Sequence, residues 1–502
     1  MEETRKGVPV VATETQAEPR TGSSSLVLVS NRLPVDRVET ADGRVEWRRS
    51  PGGLVTALEP VIAQSGGVWI GWPGSTDVDV APFTVDAAHG GSGYQLYPVG
   101  LSEQEFVEYY EGFSNGTLWP LFHDVIATPK YHRAWWDAYV AINQRFADVV
   151  ISQAAPGATV WVHDYHLVPL ASELRALGCQ QRIGFFLHIP FPSFGIFAQL
   201  PWRSQIVAGV LGADVVGVQR QADARNLLGV VRRLLGYRTK NGRAFVPARE
   251  GEAARQPIIQ AYPISIDGKE FDALARTAAV QNRAAEIRRE LGNPKRILLG
   301  VDRLDYTKGI VHRIKAFGEL LEEGRLNPAE VSLIQVAVPS RERVESYRAL
   351  RDEIELLVTR INGDFGTLGH NPISYLHKGY PRDEMASLYL ASDVMLVTAL
   401  RDGMNLVAKE YVATRIDNRG ALVLSEFAGA ADELNQALLI NPHDIDGLKD
   451  TILEAIRMSP REQARRMRPM RRHIAADDVS HWSSRFLRDL AAVSRESGQA
   501  TA

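Results

Sequence analysis

Residues 296–309 read RILLGVDRLDYTKG, and residues 393–412 read DVMLVTALRDGMNLVAKEYV. Each opens on a short apolar run, passes through a charged turn and leads into a helical pattern. The runs are apolar at consecutive positions, as in a strand buried on both faces by helices covering a parallel sheet. The same unit recurs along the chain. SLVLVSN (25–31), GVWIGW (67–72), TVWVHD (159–164), RIGFFLH (182–188) and DVVGVQ (214–219) are the strand candidates of the first half. RILLGVDRL (296–304), VSLIQVAVP (331–339), ISYLHKG (373–379), DVMLVTAL (393–400) and ALVLSE (421–426) follow in the second. Helical segments such as 274–291 and 341–360 lie between them. This repeated alternation predicts an α/β protein with two doubly wound, Rossmann-like domains.

The 502 residues suit that reading, since a domain usually takes roughly 100–200. The pattern places one domain over 25–270 and a second over 271–459. The join is expected near 265–280, after the strand-like IIQAYPISID (258–267). Residues 460–495 read as a C-terminal helix returning to the first domain, with Trp482, Phe486 and Leu490 on one face. The basic run ARRMRPMRR (464–472) reads as a solvated helical face, broken at Pro469. Residues 1–24 are polar, lack the apolar core of a signal peptide, and read as a disordered tail.

Lys plus Arg number 57 and Asp plus Glu 60, a net charge of −3. That balance argues against nucleic acid as a partner. The lone Cys179 can form no internal disulfide, and no cysteine-cluster zinc site is possible. Such usage suits a reducing cytosol. No apolar run is long enough to span a bilayer, so no membrane role is expected and the location reads as cytoplasmic.

Ligands of doubly wound sheets bind at the carboxyl ends of strands. Two such domains facing each other put the expected site in the cleft between them. Arg303 and Lys308 fall just past a buried strand. Two cations there bind an anion, or each pairs with a carboxylate, Asp302 or Asp305. After the second quoted strand, Asp402-Gly403 forms a turn and a helix begins around Asn405. A helix N-terminus offers free N–H groups to a phosphate, and glycine at 403 admits close backbone approach. Glu410, one turn beyond Leu406, is placed to accept hydrogen bonds from vicinal ribose hydroxyls. Asp402 can do the same for a sugar, or merely cap the helix.

Together, two cations after one strand and an acid–x7–Glu segment after another resemble the pattern of retaining, two-Rossmann-domain (GT-B) glycosyltransferases. The first half adds Asn31-Arg32, the glycine pair Gly52-Gly53, the aromatic EYYEGFSNGTLWP (108–120), and Asp164 and His188 at strand ends. Arg341 follows the strand ending at Pro339. SNR (30–32), PGG (51–53), EYYEGFSNGTLWP, WVHDYHLVP (161–169), HIPFPS (188–193), VDRLDYTKG (301–309) and LRDGMNLVAKEYV (400–412) resemble segments of the trehalose-6-phosphate synthase family, in the same order. The likeness spans about residues 25 to 490.

The resemblance implies that Arg303 and Lys308 hold the donor diphosphate, with backbone help from Leu406, and that Glu410 binds ribose. Asp402 and His188 would hold the transferred glucose, near the backbone N–H groups of Gly403, Met404 and Asn405. These make Asp402, His188, Arg303 and Lys308 the implied catalytic set. Gly52 and Gly53 would lie beside the donor phosphates. Arg32 and Arg341 would clamp the phosphate of glucose 6-phosphate, and Tyr110, Trp119 and Asp164 would position its ring. The implied reaction moves glucose from a nucleoside diphosphate glucose to glucose 6-phosphate with retention, giving α,α-trehalose 6-phosphate. It calls for no cofactor and no metal. A homo-oligomer, dimer or tetramer, is expected.

Two positions depart from the family pattern. Tyr380 stands where Phe is expected beside the nucleotide base, and Ala399 where Pro is frequent. The loop 34–51 is long and polar.

Several rival patterns also occur. Gly112-Phe113-Ser114-Asn115-Gly116 fits the hydrolase G-x-S-x-G motif, but that motif needs a buried strand before it and EFVEYYE reads as helix. DIDG (444–447) reads as a turn with a capping aspartate rather than a phosphatase motif. Asp77-x-Asp79 and Asp444-x-Asp446 match a metal-binding DxD by chance. A regulatory homologue without activity is disfavoured because every expected charged residue is present. A transferase using a glycerol or cyclitol phosphate acceptor is the nearest alternative.

Overall fold

The computed structural model describes residues 12–13, 22–40, 44–50, 53–86, 93–248 and 253–493. The chain forms two compact units. One is Ile264–Val479; the other comprises the described residues up to Pro263 and from Ser480 onward.

The unit Ile264–Val479 holds a six-stranded sheet, parallel throughout. Its strand order is 373–376, 331–338, 296–303, 394–397, 421–425, 438–440. In chain order that is third, second, first, fourth, fifth, sixth. The order reverses between Arg296–Arg303 and Val394–Val397, so the loops leaving these two strands flank the crevice where such sheets bind ligands. Leu298, Leu333, Leu396 and Val423 on the sheet pack against Ile314, Phe317, Ile354 and Ile452 on the helices. Burial on both sheet faces is why these strands read as continuous apolar runs.

The helical stretch expected over 274–291 is two helices, Gly268–Arg276 and Ala278–Glu290. Thr277 divides them. Its backbone is extended, and its side chain accepts a hydrogen bond from the Val280 N–H at 3.3 Å, capping the second helix. The stretch read as one helix over 460–495 is also two, Pro460–Ala476 and Val479–Ala491. Pro469 does not break the first. Met467, Met470 and Ile474 keep its buried face continuous across the proline, and the chain turns instead at Asp477. The basic run on this helix is partly ion-paired: Arg465 and Arg466 with Glu462, and Arg471 with Asp272 at 2.5 Å.

The other unit has a parallel run of strands in the order 94–98, 68–72, 24–32, 154–163, 182–186, 215–218, 258–261. This order reverses between Ser24–Arg32 and Ala154–His163. The short strands 12–13, 83–85, 239–240 and 243–244 add antiparallel edges. The segment read as a long polar loop contains an antiparallel hairpin, Val35–Glu39 with Val45–Arg49. The helix Val479–Ala491 lies on this sheet. Phe486 stacks on Trp161 at 4.9 Å, and Tyr262 donates from its hydroxyl to Asp489 at 2.9 Å. Glycine permits the contact: a Cβ on Gly184 would stand 2.6 Å from the Phe486 ring.

Phe106–Leu118 wind as a π-helix, so Gly112–Gly116 does not sit on a strand-to-helix turn and the nucleophile-elbow geometry is missing. Asp444 caps the helix Ile445–Arg457, accepting from the Gly447 N–H at 2.9 Å. No helix among the described residues is long and apolar enough to cross a membrane.

Candidate active site

The strand Arg296–Arg303 ends in a short 3-10 turn, Tyr306–Lys308, before the helix Ile310–Glu322. Gly309 joins them with φ +62°. A Cβ there would lie 2.1 Å from the carbonyl oxygen of Thr398. Only glycine lets the two loops at the strand-order reversal come this close. The result is that Lys308 Nζ reaches Asp402 Oδ2 at 2.6 Å, across from the other strand. Lys308 is buried, and Asp402 is half-buried.

The carboxylates expected to pair with the two cations also make close contacts of their own. Asp302 points into the core and binds Arg313 at 2.8 Å. Asp305 is fully buried, accepts from the Thr307 N–H at 3.0 Å, and faces Arg341 at 3.5 Å. Burial pushes the Asp305 carboxyl up, but Arg341, Arg303 and Lys308 together with the Thr307 N–H outweigh it and hold it at about 2. Arg303 itself is exposed at the strand end.

Asn405, not Asp402, caps the helix Leu406–Thr414. It adopts φ +82°, and its Oδ1 accepts from the Ala408 N–H at 3.1 Å while its Nδ2 donates to Asp402 at 3.2 Å. Among the described residues no backbone hydrogen bond engages the N–H groups of Gly403, Met404, Asn405 or Leu406. Lys308 and the start of this helix, the positive end of its dipole, both flank Asp402, a place suited to an anion. On the next turn Glu410 accepts from the Tyr389 hydroxyl at 2.7 Å. Burial raises the Glu410 pKa, an effect the Tyr389 hydrogen bond and Arg382 oppose. Tyr380 precedes the helix Arg382–Ala391, with the Lys378 ammonium 4.9 Å over its ring.

Arg341 has φ +52°, and its guanidinium is buried, hydrogen-bonded to the Tyr347 hydroxyl and facing Asp305. In this unit it is an internal group of the Asp305 cluster.

In the other unit, Arg32 ends the strand Ser24–Arg32 at the second reversal of strand order. It pairs with Asp36 at 2.6 Å and lies 5.4 Å over the Trp72 ring. Gly74 makes room for it, since a Cβ would stand 2.3 Å from the guanidinium. Asp164 follows the neighbouring strand with φ +75° and accepts from the His188 N–H at 3.1 Å. Tyr110 stacks on His166 at 5.6 Å. Trp119 is buried against His123 and Tyr165. Gly53 opens the helix Gly53–Ser65; Gly52 lies outside the described residues. His188 follows the strand Arg182–Phe186, and burial lowers its pKa to about 3, so its ring is neutral.

Sequence reasoning missed several supporting residues. Arg313 is fully buried and gathers Asp302, Gln335 and Thr398 beneath the Lys308 loop. Its signal was present: it is an arginine on the apolar face of a helix that also carries Ile310, Ile314 and Phe317. Tyr389 and Tyr347, which hold Glu410 and Asp305, gave no comparable signal, because buried tyrosines are common core residues.

The family model for Glycosyltransferase family 20 matches residues 24–492. The trehalose-6-phosphate synthase of Mycolicibacterium vanbaalenii is 54% identical over 484 residues, covering 96% of this chain and 99% of its own. That of Mycobacterium leprae is 53% identical over 485 residues, covering 95% and 97%. Among solved structures, a UDP-forming α,α-trehalose-phosphate synthase from Burkholderia xenovorans in complex with glucose-6-phosphate has a TM-score of 0.83 at 35% identity, covering 93% of this chain and 99% of its own. An E. coli structure bound with UDP-2-fluoro glucose has a TM-score of 0.83 at 36% identity, with 93% and 99% covered.

Proposed function

The chain belongs to glycosyltransferase family 20 and has the GT-B fold class, and we infer that it moves glucose from a nucleoside diphosphate glucose to glucose 6-phosphate with retention, forming α,α-trehalose 6-phosphate. The observation that carries this reading is the pairing of Lys308 with Asp402 beside the start of the helix Leu406–Thr414, at the strand-order reversal.

In this proposal Arg303 and Lys308 bind the diphosphate and stabilise it as a leaving group. Arrival of the donor draws Lys308 from Asp402 toward phosphate and leaves the Asp402 carboxylate to accept from glucose hydroxyls. Glu410 accepts from ribose, with Tyr380 beside the base and Gly52-Gly53 near the phosphates. His188 contacts the transferred glucose. Arg32 and Arg341 take the acceptor phosphate, Arg341 by leaving Asp305, while Tyr110, Trp119 and Asp164 position the acceptor ring. The acceptor hydroxyl attacks the face the diphosphate leaves, and a donor phosphate oxygen takes its proton. Catalysis then rests on positioning and charge stabilisation.

A release assay tests the reaction. UDP-, ADP- and GDP-glucose are each incubated with glucose 6-phosphate, with glycerol or cyclitol phosphate, or with no acceptor. Nucleoside diphosphate release that depends on glucose 6-phosphate is expected, with no covalent glucosyl-enzyme by mass spectrometry. Absence of release with every donor would sink the assignment. The reading extends to a cytoplasmic homo-oligomer, since soluble enzymes commonly form closed symmetric assemblies. Light scattering is expected to give a multiple of the 55.5 kDa chain mass; a monomer at assay concentration would refute that part.

A further inference from the structure

Two buried histidines meet at the carboxyl end of the sheet in the unit that contains Arg32. His163 is the last residue of the strand Ala154–His163 and is fully buried. Its Nδ1 lies 3.1 Å from His188 Nε2. On the other side of His188, the Gln219 amide stands 3.4 Å from Nδ1, a long contact. Phe186 at 4.5 Å and Trp482 at 6.2 Å flank the His188 ring without offering it a polar partner.

Burial, and then the neighbouring His188, push the His163 pKa well below its ordinary value, and burial does the same to His188. Both rings are therefore neutral, and each has one N–H and one bare nitrogen. The contact between them uses one proton, so the two tautomers are coupled. If His188 donates from Nε2, the proton of His163 must sit on its own Nε2. If His163 donates from Nδ1, the proton of His188 must sit on Nδ1. The far nitrogen of His163 decides between them. His163 Nε2 is buried with no hydrogen-bond partner. An orphaned buried N–H is rarer than an orphaned acceptor, so the second arrangement is favoured. The Gln219 contact with His188 Nδ1, at 3.4 Å, is too long to fix the tautomer, and a sugar hydroxyl can take the Nδ1–H in its place.

We propose that His163 is a positioning residue for glucosyl transfer: its Nδ1–H holds His188 Nε2, so that His188 offers Nδ1–H as a donor to a hydroxyl of the transferred glucose. This rests on the reading of His188 as a sugar contact. Nothing in that reading requires a second histidine, and His163 lies too deep to touch a substrate.

The test uses the full-length protein labelled with 15N-histidine, with the His188 signals assigned by their loss in His188→Gln. A protonated Nδ1 and a bare Nε2 are expected for His188 at neutral pH; the reverse tautomer overturns the proposal. His163→Phe keeps a ring among Trp161, Phe186 and His188 but removes the donor. It is expected to lower kcat by about ten- to a hundredfold with KM for glucose 6-phosphate unchanged. His163→Asn, which keeps a donor near the position of Nδ1, is expected to recover most of that loss. In a His188→Ala background, His163→Phe is expected to add less than about twofold, because the effect runs through His188. A His163→Phe enzyme with kcat within threefold of the parent also overturns the proposal. If that variant does not fold, the tautomer of the parent protein still decides. Full turnover by His188→Ala would instead refute the sugar contact, and the His188 tautomer would separately test the His163 arrangement.

Discussion

Lys308→Ala is expected to lower kcat by about a hundred- to a thousandfold, the effect of removing one preorganised charge-stabilising group, roughly 3–4 kcal/mol in the transition state. Lys308 is already placed before any donor binds. Its ammonium is buried, fixed 2.6 Å from Asp402, on a turn that Gly309 presses against Thr398. Charge develops on the diphosphate as the glycosidic bond breaks, and a cation in a poorly hydrated position acts on it strongly. Alanine has a second effect. It leaves Asp402 without its ammonium partner beside the incoming phosphates, so KM for the donor is expected to rise as well. Lys308→Arg is not expected to restore turnover, since a planar guanidinium does not fit a space built around a point charge. Steady-state kinetics with varied donor, on protein of unchanged circular dichroism, gives the answer. Turnover within tenfold of the parent would refute this role for Lys308.

Arg313→Ala is expected to destabilise the unit Ile264–Val479 by about 3–5 kcal/mol, the usual cost of stripping one partner from a buried ion pair. The Arg313 side chain is 0% exposed. It donates to Asp302 at 2.8 Å, to Gln335 at 2.8 Å and to Thr398 at 3.0 Å. Its removal strands the Asp302 carboxylate, whose side chain is only 3% exposed. A loss of that size corresponds to a fall in Tm of roughly 6–20 °C for a unit of this length. The consequences extend to the site. Thr398 also donates to the carbonyl oxygen of Gly309 at 3.0 Å, so the loop that carries Lys308 loses an anchor. Differential scanning calorimetry tests the prediction, and a Tm within about 2 °C of the parent would count against it. Arg313→Met is expected to cost nearly as much, because the methionine fills volume but leaves Asp302 unpaired.

The fold was legible because its deciding signal is local. A strand covered on both faces must be apolar at consecutive positions, and RILLGV, VSLIQVAV, VMLV and ALVLS show this without reference to anything distant. The edges were less legible. Phe83–Val85 and Val35–Glu39 are short and only partly apolar, Leu438–Ile440 spans only three residues, and the helix through Pro469 continues because packing on both sides outweighs one lost hydrogen bond.

The site divides in the same way. The sequence by itself determined which polar residues stand just past strand ends, Arg32, Asp164, His188, Arg303, Lys308 and Asp402, with Glu410 on the helix that follows Asp402. A residue's place after a buried strand is a property of its own neighbourhood. Only the tertiary structure decided how those charges are paired. By sequence distance Lys308 should take Asp305 or Asp302, yet it takes Asp402, ninety-four positions away. Asp302 alternates inward and meets Arg313, while Asp305 turns under the loop to Arg341 and Tyr347. The same holds for His163 beneath His188. Each of these contacts joins segments that topology alone brings together. A hydrogen bond depends on tenths of an ångström between such segments, whereas the burial of a strand depends only on the character of its own residues.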